Sequence, residues 1–253
     1  MKTPSFALLA TVLSLSLFQG ATRAQTPSAE TTPLPAAEPS PTRAPSKLLY
    51  KPPSGAGNIP TRVSGGARGS STDASLLALV PDHAALTTQA QPSLFWFQSK
   101  AAKAKIEMTL IEPKKAKPLL ALTSEQANKA GIHRVKLANY KVELRSDVSY
   151  EWVVAIVPDA ENRSKDVIAK GVIKRIKTPP ELADKIEHAG DVDRAAIYAQ
   201  AGIWYDALEA ISNAIDASPD DASLRAQRAS LLKQVGLPEA AATEKKPPAA
   251  KSH

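Results

Sequence analysis

The sequence predicts an α+β chain: an antiparallel β-sandwich of immunoglobulin-like type, followed by a small unit of three to four helices. Two observations carry this. Between Leu76 and Ile176, short apolar runs, several of them alternating, are separated by turn residues, and no helical pattern intervenes. At Thr178-Pro179-Pro180 the apolar period changes to that of an α-helix.

Strands are expected at 76–81 and at 93–98, where Phe95, Trp96 and Phe97 crowd together. Aromatic residues at that density suit a pleated, buried surface. Ile106, Met108 and Leu110 alternate with Glu107, Thr109 and Ile111, which predicts a half-buried strand. A hairpin-like break over 113–118, carrying Lys114, Lys115 and Lys117, leads to a strand at 119–122, and another follows at 131–137. Residues 150–157 are almost continuously apolar, as a central strand would be; 158–164 form a turn and 167–176 return. Pro179 or Pro180 then opens a helix to His188, because proline suits a first helical turn. Asp191 begins the next helix and Gly202 breaks it. Trp204, Leu208, Ile211 and Ile215 fall on one face of a third, and Pro219-Asp220 starts a fourth that Gly236 ends.

The flanks have a different character. Lys2, the apolar run from Phe6 to Phe18, and Thr22 and Ala24 before Gln25 have the three parts of a secretory signal over residues 1–24. The run is shorter than the roughly 20 residues a bilayer span needs, so no transmembrane anchor is expected after cleavage. The protein is therefore expected in the periplasm or outside the cell. Residues 25–50 read as a Pro-rich disordered linker and 238–253 as a disordered tail. Between them lie a β-rich domain at 51–178, with an irregular Gly/Pro-rich start, and a helical domain at 179–237. The absence of cysteine excludes disulfides and thiolate metal sites.

The formal net charge is +7, unevenly spread. Residues 92–178 hold 17 Lys or Arg against 9 Asp or Glu, whereas 179–236 hold 5 against 10. An anionic envelope polymer or an envelope protein is the partner this predicts; nucleic acid is not expected for an exported chain. His83, His133, His188 and His253 stand alone, and no motif of a metalloprotease or serine hydrolase is present. No catalytic residue, cofactor site or metal site is predicted. Asp159, Glu161, Asn162 and Asp166 bring four oxygen-bearing side chains to one loop, but Arg163 and Lys165 interrupt them and a polar turn is the better account.

The candidate interaction residues are Lys114, Lys115 and Lys117, with Arg68 and Tyr205. Arg68 lies in Gly65-Gly66-Ala67-Arg68-Gly69, where glycine-permitted backbone angles can gather amides around an anion. Trp204 is expected in the core and Tyr205, one position round the helix, at the surface. The function expected is that of a non-enzymatic exported interaction or accessory protein. The competing expectation is an envelope-glycan enzyme with a carboxylate pair not identified from sequence, Glu151 and Asp206 standing beside aromatic residues.

Residues 191–236 resemble a tetratricopeptide unit, through Ala201-Gly202-Ile203-Trp204-Tyr205-Asp206-Ala207-Leu208, Ala214 and Pro219-Asp220. A single such unit is expected to dock on the sheet, since solenoids need about three repeats to stand alone. Residues 51–237 as a whole resemble a bacterial family known as domain of unknown function 928. The resemblance rests on Lys51-Pro52-Pro53, Gly65-Gly66-Ala67-Arg68-Gly69, Leu79-Val80-Pro81, Pro92-Ser93-Leu94-Phe95-Trp96-Phe97, Tyr150-Glu151-Trp152, Asn162-Arg163-Ser164 and Val172-Ile173-Lys174-Arg175-Ile176. It implies export and architecture, and no activity.

Overall fold

Short strands come first and helices last. The computed structural model describes residues 48–54, 64–66, 74–124 and 129–244, in which nine strands form two sheets and five α-helices follow. The class is α+β. These residues belong to one compact unit, Ala44–His253. Residues 1–24 with the expected export signal, residues 25–47 of the expected linker, Arg68 and residues 245–253 of the expected tail lie outside the described residues.

The first sheet has the order β1 (Ser64–Gly66), β2 (Ser75–Ala78), β4 (Ser93–Gln98), β7 (Gly131–Lys136), antiparallel throughout. The second has the order β3 (Ala85–Thr87), β9 (Val167–Arg175), β8 (Ser149–Val157), β5 (Lys105–Ile111), β6 (Leu120–Ser124). One ladder corrects the expected antiparallel arrangement: β3 pairs with β9 in parallel, Ala85 opposite Ile173 and Thr87 opposite Arg175. A parallel pair needs a long crossover, and the chain from β4 through β8 provides it. β2 of the first sheet packs against β8 and β9 of the second.

Alternation places the core. Ile106, Met108 and Leu110 of β5 are buried, as are Tyr150, Trp152, Val154 and Ile156 of β8, with Val167, Ala169 and Ile173 of β9. Trp152 lies opposite Gly171 in the ladder, and a Cβ at 171 would stand 2.9 Å from the indole ring. The glycine is the slot that admits the tryptophan. Gly171→Ala is expected to lower stability by about 1–2 kcal/mol through overpacking, read as a lower urea midpoint; an unchanged midpoint would show that the ring has room to move.

The helices are α1 (Pro180–Glu187), α2 (Asp191–Gln200), α3 (Trp204–Ala217), α4 (Ala222–Gln234) and α5 (Pro238–Thr243). α3 is the centre of the helical layer, packed on β3 and β4 and flanked by α2 and α4. Its apolar stripe explains this: Trp204, Leu208 and Ile211 are inaccessible and Ile215 nearly so. α5 corrects the tail expected from 238. Pro238 opens it, Ala240 and Ala241 are buried, and it packs on α4 and β7. The linker expected to reach 50 is also cut short, since Leu48 and Tyr50 belong to the core.

Residues 48–53 form a strap across the helices. The Lys51 amide donates to Ala199 O at 3.0 Å, and Gln234 receives the Tyr50 amide while donating to Leu48 O, both at 2.9 Å. Tyr50 meets the Trp204 ring edge-on, and Trp204 Nε1 donates to Leu79 O at 2.8 Å. Gly202, in the α2–α3 turn, has φ +76°, and a Cβ there would lie 2.8 Å from Lys51 O.

Candidate functional site

The lysine-bearing hairpin follows from local chemistry. Lys115 N–H donates to Glu112 O at 3.1 Å, closing a four-residue turn with Pro113 second and Lys114 third. Lys114 has φ 69°, the positive angle a type II turn requires at its third position, and proline suits the second. Glycine or asparagine is the ordinary occupant of that third position, so lysine there is strained. Lys114→Gly is expected to raise stability by up to about 1 kcal/mol, measured by urea unfolding; a loss would mean that Lys114 makes contacts outweighing its backbone strain.

Beyond the turn, the hairpin forms one wall of a cleft of about 570 Å³ lined by Glu112, Lys115, Ala116, Lys117, Pro118 and Leu119. The facing wall is Glu143, Arg145 and Tyr150, from the segment leading into β8. Pairing of β5 with β8, Ile111 opposite Glu151, brings these distant stretches together. Leu144 anchors the facing wall: its side chain is buried, its N–H donates to Ala90 O at 2.8 Å, and its carbonyl accepts from Arg175 Nη1 at 2.6 Å. Glu143 and Arg145, on either side of this fixed residue, both line the cleft. Tyr150 Oη accepts the Arg145 backbone N–H at 3.0 Å.

The charges are unequally engaged. Arg145 and Glu112 form an ion pair at 2.6 Å across the cleft. Lys114, Lys115, Lys117 and Glu143 are exposed, and their side chains make no hydrogen bond or ion pair with any described residue. Unengaged lysines beside the apolar Ala116, Pro118 and Leu119 suit an anionic group with an apolar body.

Tyr205 corrects the surface expected of it, being 1 % exposed. The helical wheel places it off the Trp204 stripe, but α3 is covered on more than one side. Its hydroxyl receives Trp152 Nε1–H at 2.7 Å and donates to Val172 O at 3.3 Å, tying α3 to the second sheet. Burial pushes its pKa up.

Two carboxylates named from sequence are engaged structurally. Glu151 pairs with Lys170 at 2.6 Å on the second sheet. Asp206 is almost wholly buried, and burial raises its pKa to about 6 despite three donors. Those donors are Thr87 Oγ1–H at 2.5 Å, the Thr88 N–H at 3.0 Å and the Thr88 hydroxyl. Glu209, one turn on, accepts from Ser93 Oγ–H at 2.6 Å and Gln89 Nε2–H at 3.1 Å. The two carboxylates thus clamp the segment between β3 and β4. Sequence reasoning missed this cluster, although Thr87-Thr88 and the Asp206/Glu209 spacing were its available signal. In the polar turn, Asp159 pairs with Lys165 and Asp166 with Arg163, so each of these two carboxylates has one oxygen held by a cation of the same turn. Among the described residues no group of three or more His, Asp or Glu stands where a metal ion could be held.

The family model described as Domain of Unknown Function (DUF928) matches residues 63–245. The chain belongs to that family. The match takes in both sheets, all five α-helices and the whole cleft, and it leaves out the Lys51-Pro52-Pro53 strap. The DUF928 description names no activity. No curated protein matches the chain.

Proposed function

We propose that this DUF928 protein is an exported, non-enzymatic accessory protein of the bacterial envelope, binding an anionic polymer or an anionic site on an envelope protein. The observation that carries this is the set of unengaged lysines, Lys114, Lys115 and Lys117, on a hairpin that walls a cleft. Export rests on the three-part pattern of residues 1–24. The two contacting sheets support a sandwich, and the α2–α3 hairpin with its Gly202 turn supports a tetratricopeptide-like unit docked on the sheet.

The test is sedimentation of the purified protein with salt-washed envelope fragments. Binding is expected to weaken as salt rises, because exposed charges are screened beyond roughly 10 Å at 0.1 M. Replacing Lys114, Lys115 and Lys117 by Gln should reduce binding and flatten the salt dependence. Unchanged binding by that variant would remove the reading. A glycan-hydrolysing enzyme is the second reading, favoured by Glu112 and Glu143 lining one cleft. Against it, Glu112 is already engaged by Arg145 in an ion pair at 2.6 Å. Release of reducing ends from envelope glycan, lost in Glu143→Gln, would establish the enzyme instead.

A further inference from the structure

We infer that the cleft between the 112–119 hairpin and the 143–150 segment takes a short peptide bearing both a free carboxylate and a free ammonium group. This rests on the anion-binding reading above and names its ligand. Lys115 and Lys117 are unengaged on one wall, Glu143 is unengaged on the other, and the remaining charges, Arg145 and Glu112, neutralise each other.

A ligand carrying only negative charge at this cleft would leave the Glu143 carboxylate without a counter-charge. A simple cation would meet two lysines. A ligand with one charge of each sign satisfies both walls at once. Arg145 gives one Nη to Glu112 at 2.6 Å, so its charge is already partnered, whereas the ammonium groups of Lys115 and Lys117 are open to a carboxylate. Ala116, Pro118 and Leu119 give the body of the ligand an apolar wall, and about 570 Å³ lies within the range of small-molecule clefts. The peptide arm of an envelope glycan and a free dipeptide share this chemistry.

Isothermal titration of the full chain with three probes separates the possibilities: leucyl-leucine, N-acetyl-leucyl-leucine without the ammonium, and leucyl-leucinamide without the carboxylate. Leucyl-leucine is expected to bind about tenfold more tightly than either. Glu143→Gln should bring leucyl-leucine down to the acetylated probe and leave that probe's affinity unchanged. The double replacement Lys115→Gln and Lys117→Gln should bring it down to the amide. An acetylated probe that binds as well as leucyl-leucine would overturn the inference while leaving the anion reading intact. An acetylated probe bound equally by wild type and the double lysine variant would defeat the anion reading itself. No binding of leucyl-leucine at millimolar concentration would overturn the peptide assignment. A tagged peptidyl-glycan fragment that binds when leucyl-leucine does, and is displaced by it, would identify the polymer-borne source; failure to displace would confine the site to free peptides.

Discussion

Asp206→Asn is expected to abolish a pH dependence of stability worth about 3 kcal/mol. Burial raises the carboxyl from its ordinary 3.8 to about 6 in the folded protein. The folded state therefore holds the proton more tightly than the unfolded chain. The stabilisation from that proton is complete below about pH 4 and is lost as pH rises towards 6, after which it stays lost. A difference of about two pKa units corresponds to ~3 kcal/mol. Asparagine is neutral throughout and can still accept from Thr88 and donate to Thr87 Oγ1. Urea unfolding of both proteins at about pH 4 and about pH 7 is the measurement. The variant should gain about 3 kcal/mol relative to wild type between the two. A difference that does not move with pH would mean that Asp206 is not the buried acid described here.

Gly202→Ala is expected to cost about 3 kcal/mol. The left-handed angle at 202 costs a non-glycine residue about 1–2 kcal/mol. The added methyl would also meet backbone atoms, Lys51 O at 2.8 Å and Pro53 N at 3.0 Å, which cannot rotate aside as a side chain can. The strap must then lift from the α2–α3 turn, losing its bond to Ala199 and exposing Tyr50. Loss of stability together with faster proteolysis near residue 51 would show this. A stable variant with an intact strap would mean that the approach is looser than these distances.

The elements that announced themselves in the sequence are those whose own residues decide them. β4, β5, β8 and β9 carry dense or alternating apolar runs, and α3 carries a full amphipathic stripe. β3 has three residues and no pattern, and its identity comes from a partner far along the chain, β9. α5 was hidden by a tail composition rich in alanine, lysine and proline, although Pro238 suits a first helical turn. Tyr205 was misplaced because a helical wheel shows one buried face and α3 has more. At the cleft, Lys115 and Lys117 were legible as a run of charge. Glu143, Arg145 and Tyr150 were not, because only the β5–β8 register brings them opposite.

The bonds between early and late residues bear on when this chain can fold. β3 needs β9 beside it, Thr87 and Thr88 need Asp206, and Trp152 needs Tyr205. Each contact closes a loop of many tens of residues, and loops of that kind form late. A ribosome that has released only the β-strands has therefore delivered a core without its cover. The nascent polypeptide stays open until α3 emerges, a long interval in which a chaperone can hold it.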